Sequence, residues 1–440
     1  MSISPGRRRE IIDALRRGTV PQQGLDLFAV GLGALEPALD DELQAVATGG
    51  ATFKAVRGEY GAGKTFFARW LAERAKTAGF AASEVQISET ETPLHRLETV
   101  YRRLVERLST ADAQRGALRV IVDRWLYALE EDVIATGVEE EDTALLGARV
   151  DELMESRLRR VADASPSFCA ALRTYRRAVA GGDAALADGV LAWVAGQPNV
   201  AAQVKRAAGV RGEVDHFGAL GNLQGLLTIL RDAGHAGLLL VLDELETLQR
   251  VRSDAREKAL NALRQLIDEV DGGRFPGLML LVTGTPAFFD GPQGVQRLPP
   301  LAQRLHVDFG ADPRFDNPRA VQIRLAPFDH ARLVEVGMRV RDVYATGSPA
   351  EERLVRLCDD GYLDVFASAV SGELGGRFGI APRVFLRKLV GDVLDRIDQF
   401  PDFDPRRDYA LTVSDSELTL EEREARQAPA RADEVELDLP

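Results

Sequence analysis

Short apolar runs alternate along the chain with longer segments whose apolar residues recur every three or four positions, the signatures of strands and of amphipathic helices respectively. The runs Thr52–Val56, Val85–Ile87, Leu238–Leu242, Leu278–Thr283 and Val321–Leu325 predict five strands. Helical spacing predicts helices over about Pro5–Arg17, Glu36–Val46, Lys64–Thr77, Leu220–Ala233 and Ala255–Val270. From Thr92 to about Val214 the pattern is helical, with breaks near Gly116, Gly137, Gly181–Gly182 and Gln197–Pro198. It is helical again from Pro327 to about Asp398. Strands alternating with helices imply an α/β fold, a parallel sheet flanked by helices. The expected divisions are an N-terminal helical segment over 1–50, a core over 51–325 carrying a helical insert at about 92–214, a helical segment over 326–398, and a C-terminal segment over 399–440.

Composition narrows the class. A chain of 440 residues holds about two or three domains. Its 45% hydrophobic and 28% charged residues exclude general disorder. No apolar run is long enough to cross a bilayer, and the opening residues lack the apolar stretch of a signal peptide, so a cytoplasmic location is expected. Two cysteines, Cys169 and Cys358, make no disulfide or metal framework. His95, His216, His235, His306 and His330 show no metal-binding spacing. A net charge of −13 argues against a protein that coats nucleic acid by charge alone, while leaving room for a local basic patch. The stretch Ser414–Pro440 carries nine acids against three arginines and reads as a solvated tail, with a docking segment as the alternative.

Only six residues are lysine, which makes Lys64 informative. It stands in Gly58-Glu59-Tyr60-Gly61-Ala62-Gly63-Lys64-Thr65, a G-x-x-x-x-G-K-[ST] motif with a strand before it and a helix after it. Glycines let successive backbone N–H groups face phosphates, and the helix N-terminus favours the negative charge. Lys64 would reach the β- and γ-phosphates of ATP, and the Thr65 hydroxyl would ligate Mg²⁺. A Gly-rich turn that happens to precede a helix is the competing reading, and the strand–loop–helix context weighs against it.

Such a loop needs a second site for metal and water. The run Leu238–Leu242 delivers Asp243 and Glu244 at its end. Asp243 would hold Mg²⁺ and Glu244 would polarise the attacking water. The alternative is a strand simply leaving the core. Thr283, closing the next apolar run, is placed to bond the γ-phosphate or the lytic water. Arg304, in Pro300-Leu301-Ala302-Gln303-Arg304-Leu305, and Arg383, in Gly379-Ile380-Ala381-Pro382-Arg383, are candidates for spreading charge on the γ-phosphate, one of them from a neighbouring subunit. Among 49 arginines either can equally be a solvated surface residue.

Taken together, these elements resemble an AAA+ ATPase, in which they are Walker A, Walker B, sensor 1, arginine finger and sensor 2. Gln322-Ile323-Arg324-Leu325-Ala326-Pro327-Phe328-Asp329 is similar to the lid entry of origin-recognition-type initiator ATPases, which implies that 326–398 is a helical lid. More narrowly, Glu59–Thr65, Val241–Glu246 and Thr283–Pro286 resemble the BrxD-type ATP-binding proteins of BREX phage-resistance systems, over about residues 25–395. The resemblance implies an ATP-binding, ATP-hydrolysing subunit of an antiviral system, with other defence-system proteins as partners, self-assembly or DNA engagement.

Two departures bear on that expectation. The helical insert is long for a minimal AAA+ core, which suits partner docking. Fewer than about fifty residues follow the lid, too few for a winged-helix DNA-binding domain. The insert's arginines, among them Arg102, Arg103, Arg107, Arg119, Arg124, Arg157, Arg159, Arg160, Arg173, Arg176 and Arg177, are interleaved with acids. They read as a solvated, ion-paired face, with a nucleic-acid stripe and a protein-docking face as alternatives. A slow nucleotide-dependent scaffold and an initiator-like DNA-binding ATPase remain the rival functions.

Overall fold

The computed structural model describes residues 3–310, 312–374, 382–418 and Arg423, and of Arg160 and Ala164 the backbone alone. Gly379, Ile380 and Ala381, and the tail beyond Leu418 apart from Arg423, lie outside the described residues. Helices α1 (Pro5–Arg16) and α2 (Glu36–Ala47) precede strand β1 (Thr52–Arg57), helix α3 (Lys64–Thr77) and strand β2 (Ala81–Gln86). The insert comprises α4 (Leu97–Glu106), α5 (Leu118–Ile134), α6 (Thr143–Arg157), α7 (Arg159–Ala164), α8 (Pro166–Ala180), α9 (Ala184–Val194) and α10 (Ala202–Ala207). Then follow α11 (His216–Asp232), β3 (Leu238–Asp243), α12 (Ser253–Asp271), β4 (Leu278–Gly284), α13 (Pro286–Asp290), α14 (Pro299–Arg304) and β5 (Gln322–Arg324). The chain ends in α15 (His330–Ala345), α16 (Glu351–Leu357), α17 (Asp360–Glu373), α18 (Pro382–Lys388), a π-helical turn over Leu389–Leu394, α19 (Asp395–Gln399) and α20 (Pro405–Asp408).

All strand pairs are parallel, in the order β2-β3-β4-β1-β5. A parallel sheet is buried on both faces, and the side-chain period of two divides its residues between them. Leu238, Leu240 and Leu242 of β3, with Leu278, Leu280 and Val282 of β4, join a core built with the insert, α11 and α12. Leu239, Val241, Met279 and Leu281 face the opposite core. That second core is filled by α1, α2 and α3 together with α15 to α19. Helices α1 and α2 and the described helices after β5 therefore bury their apolar faces in common, and Arg16 clamps Asp395 through two hydrogen bonds of 2.6 and 2.8 Å.

The breaks expected in the insert coincide with helix ends, at positive-φ Gly116, Gly137 and Gly182. Acidic N-caps set several starts: Asp142, Asp183, Asp215, Asp329 and Asp359 each accept from a backbone N–H of the first turn of α6, α9, α11, α15 and α17. The second strand is longer than its apolar run. Val85–Ile87 marks only its end, because Ala81, Ala82 and Ser83 are small residues buried against β3 and Ala82 bridges Ser109. Among the described residues no helix is long and apolar enough to cross a membrane.

Candidate nucleotide-binding site

In open parallel sheets ligands gather beyond the carboxyl ends of the strands. Register brings three such ends level: Val56 pairs with Thr283, and Leu242 with Val282, so Arg57-Gly58, Asp243 and Thr283 leave the sheet side by side. Gly58 N–H donates to the Gly284 carbonyl at 3.2 Å, pinning the start of the loop to β4. Gly61 and Gly63 then adopt φ of 80° and 87°, conformations only glycine takes without strain. Gly63 caps α3 in that left-handed state, so the unpaired N–H groups of the helix's first turn open onto the loop.

Lys64 turns back over this loop. Its ammonium donates to the Gly58 carbonyl at 3.0 Å and the Glu59 carbonyl at 3.4 Å, and lies 3.3 Å from Glu246 Oε1. Thr65 Oγ1 donates to Asp243 Oδ2 at 2.9 Å. Thr283, wholly buried, donates its hydroxyl proton to Asp243 Oδ1 while accepting from Glu244 N–H at 3.1 Å. Glu244 itself sits at φ 63°, left-handed although not glycine, and its Oε2 accepts from Gln86 Nε2 at 2.8 Å. Left-handed backbone costs roughly 1–2 kcal/mol for an L-residue and collects at functional sites.

Several of these groups line a cavity of about 420 Å³. Tyr60, Gly61, Gly63, Lys64, Thr65, Glu244 and Glu246 form its polar end. Its apolar end is made by Leu15, Val20, Phe28, Val30, Phe328 and Leu386, and Arg383 on α18 lines it as well. Of the residues singled out in the sequence, Gly58, Glu59 and Ala62 shape the loop without lining the cavity, and Asp243 and Thr283 lie behind its wall. Arg304 is elsewhere. It pairs with Asp268 of α12 at 2.6 Å and donates to the Pro300 carbonyl at 3.2 Å, on the molecular surface. Arg383 Nη2 donates to the Glu417 carbonyl at 2.8 Å.

Sequence reasoning missed Leu15, Phe28, Val30 and Leu386 of the cavity lining, and three further contributors. Gly18, Thr19, Val20 and Pro21 close the apolar end from α1's exit, and only the Gly and Pro punctuation hinted at them. Gln86 ends an edge strand whose apolar run falls later. Glu246 follows the acid pair by two residues and was passed over as a neighbour; burial raises its pKa, Lys64 opposing this.

The donor set suits a nucleotide with its metal. Thr65 and Asp243 offer hard oxygens, which Mg²⁺ prefers, while the described residues contain no group of three or more His, Cys, Asp or Glu that could hold a metal unaided. Remaining coordination would have to come from phosphate and water. A family model described as BREX system ATP-binding protein BrxC/D matches residues 3–413, and the chain belongs to that family. No curated protein matches it.

Proposed function

From this membership of the BREX ATP-binding family, we propose that the chain is an AAA+-like, ATP-hydrolysing subunit of the defence system, using nucleotide state to control assembly with partner proteins. The observation that carries the reading is that Lys64, Thr65 and Glu244 line one part of a cavity with Asp243 hydrogen-bonded to Thr65 behind them, while much of the remaining lining is apolar. The phosphates would lie on the loop N–H groups and Lys64, the base among Val20, Phe28, Val30 and Phe328. Bound Mg²⁺ would supply charge neutralisation between the β- and γ-phosphates, held by Thr65 and, through water, by Asp243.

Hydrolysis needs a base beside the γ-phosphate. Glu244 is aimed from the end of β3, and the bond from Gln86 sets its carboxylate orientation. Arg383 lines the cavity from α18 with its Nη2 on the Glu417 carbonyl; closure of the helices after β5 as a lid would bring it to the charge on the terminal phosphate. Arg304 lies on the surface, as a group acting on a neighbour's nucleotide would.

Assembly is favoured over DNA engagement because several of the insert's arginines are held in ion pairs. Arg157 pairs with Asp132 and Asp232 at 2.8 and 2.9 Å, and Arg119, Arg173 and Arg176 with Asp188, Glu155 and Asp151. The test is Glu244→Gln, which keeps shape and hydrogen bonding but removes the basic carboxylate. It is expected to bind ATP normally and lose turnover by about a hundredfold or more. Wild-type turnover in this variant would assign the base to another residue.

A further inference from the structure

Lys64 and Glu246 form a buried ion pair inside the candidate nucleotide site, with residue exposures of 8% and 6%. An ammonium has three protons to donate. All three have acceptors here: the Gly58 carbonyl, the Glu59 carbonyl and Glu246 Oε1. Phosphates can be met by Lys64 only if it gives up part of this set. Glu246 is the member that cannot lose it cheaply. Its second oxygen, Oε2, is buried and has no hydrogen-bond partner among the described residues. Desolvation already disfavours the charged form of Glu246, with Lys64 as its main counterweight. Beside Glu246 the cavity wall is made by Thr247 and Arg250. Thr247's hydroxyl donates to the Glu244 carbonyl at 2.9 Å.

We propose that Glu246 is a competing counter-ion for Lys64: it holds the lysine folded over the loop and must be displaced by the phosphates, so that it sets the affinity threshold of the site. This rests on the assignment of the cavity to ATP. Its physical content is a charge exchange. In the empty site the lysine's charge is neutralised by Glu246; in the loaded site it is neutralised by phosphate, and a buried carboxylate is left facing a polyanion. Glu246 thereby weakens every ligand that calls on Lys64, and ligands lacking a β-phosphate have nothing with which to displace it. The residue acts through Lys64, as a positioning residue.

The test uses two substitutions in the full chain and measures ATP and ADP dissociation constants by calorimetry, with thermal unfolding of the empty and loaded protein alongside. Glu246→Gln keeps an acceptor for Lys64 but removes the charge, so both nucleotides are expected to bind at least about tenfold tighter. The empty protein should melt earlier than wild type while its nucleotide-induced shift in Tm grows. A purely structural role for Glu246 would lower both melting points together and leave affinity unchanged or weaker. Glu246→Asp, which draws the carboxylate back from Lys64 by one methylene, should fall between wild type and Gln, and it carries the test alone if the Gln variant does not fold. Affinity equal to or below wild type in the folded variants overturns the proposal. Failure of the wild-type protein to bind ATP would instead overturn the assignment of the cavity, a separate and distinguishable result.

Discussion

Thr283 has one proton and two lone pairs, and the site uses both kinds of capacity: it donates to Asp243 and accepts from the N–H of Glu244. That N–H belongs to a left-handed residue, which is further secured by Thr247, whose N–H and hydroxyl both donate to the Glu244 carbonyl, at 3.1 and 2.9 Å. Thr283 was expected to meet the γ-phosphate or the lytic water. Its hydroxyl donates to the Asp243 carboxylate and accepts from the Glu244 N–H, and we propose that it positions these two residues. Thr283→Val keeps the shape and removes both bonds, leaving a buried N–H unpaired, which costs about 1–3 kcal/mol. Urea unfolding should report that loss, and phosphate release should fall with it. A variant as stable and as active as its parent would contradict this account of Thr283.

At the scale of elements, α18 joins the cavity to the chain's C-terminal segment. Arg383 lines the cavity from α18 and donates to the Glu417 carbonyl, while Lys388 of the same helix pairs with Glu417 at 2.8 Å. If Arg383 meets the terminal phosphate, Arg383→Ala should weaken ATP more than ADP, because a guanidinium loses that partner once the γ-phosphate has gone. Calorimetry with both nucleotides decides it; equal losses would mean that Arg383 only holds α18 in place. Arg304 belongs to α14, tied to α12 through Asp268. If it acts across an interface, mixing Arg304→Ala with Lys64→Ala should restore part of the turnover that each lacks. No rescue in co-assembled oligomers would count against action in trans.

Elements are also where sequence reading succeeded and stopped. The strands β3 and β4 were legible because their runs are wholly apolar and buried on both faces. β2 was half hidden, since Ala81, Ala82 and Ser83 carry no hydrophobic signal although the strand buries them. The loop Gly58–Thr65 and the pair Asp243-Glu244 were legible because their geometry is local: a turn, a helix start, a strand end. Glu246, Gln86 and the stretch Gly18–Pro21 were not, because each becomes part of the site only through contacts made by distant segments. Arg304 and Arg383 were candidates for different roles, and packing sets the first on the surface and the second on the cavity wall.

Across the whole molecule, the sheet divides two cores, and each holds one cysteine: Cys169 beside the insert, Cys358 among the helices that border the site. Burial pushes the Cys169 thiol to about 11 and the Cys358 thiol to about 12. Both thiols should stay protonated at pH 8, and a thiol reagent should label neither until its core opens. Saturating ATP is then expected to slow labelling of Cys358 more than that of Cys169, a difference that mass spectrometry of timed samples would read. Equal protection would mean that the nucleotide does not brace the helices around it.

The insert packs on the far core and Arg119, Arg157, Arg173 and Arg176 stand in ion pairs, so duplex DNA is expected to leave turnover unchanged at about 0.15 M salt. A steep fall of DNA affinity with salt would show that those pairs open to take phosphates. The central claim is that the cavity over Gly58–Thr65 binds ATP through Lys64. Its most direct test is calorimetric titration of ATP–Mg²⁺ into the wild type and into Lys64→Ala, with circular dichroism to verify the fold. The account predicts saturable, stoichiometric binding to the wild type and no measurable heat from a folded Lys64→Ala protein. Binding of normal affinity to that variant would contradict it.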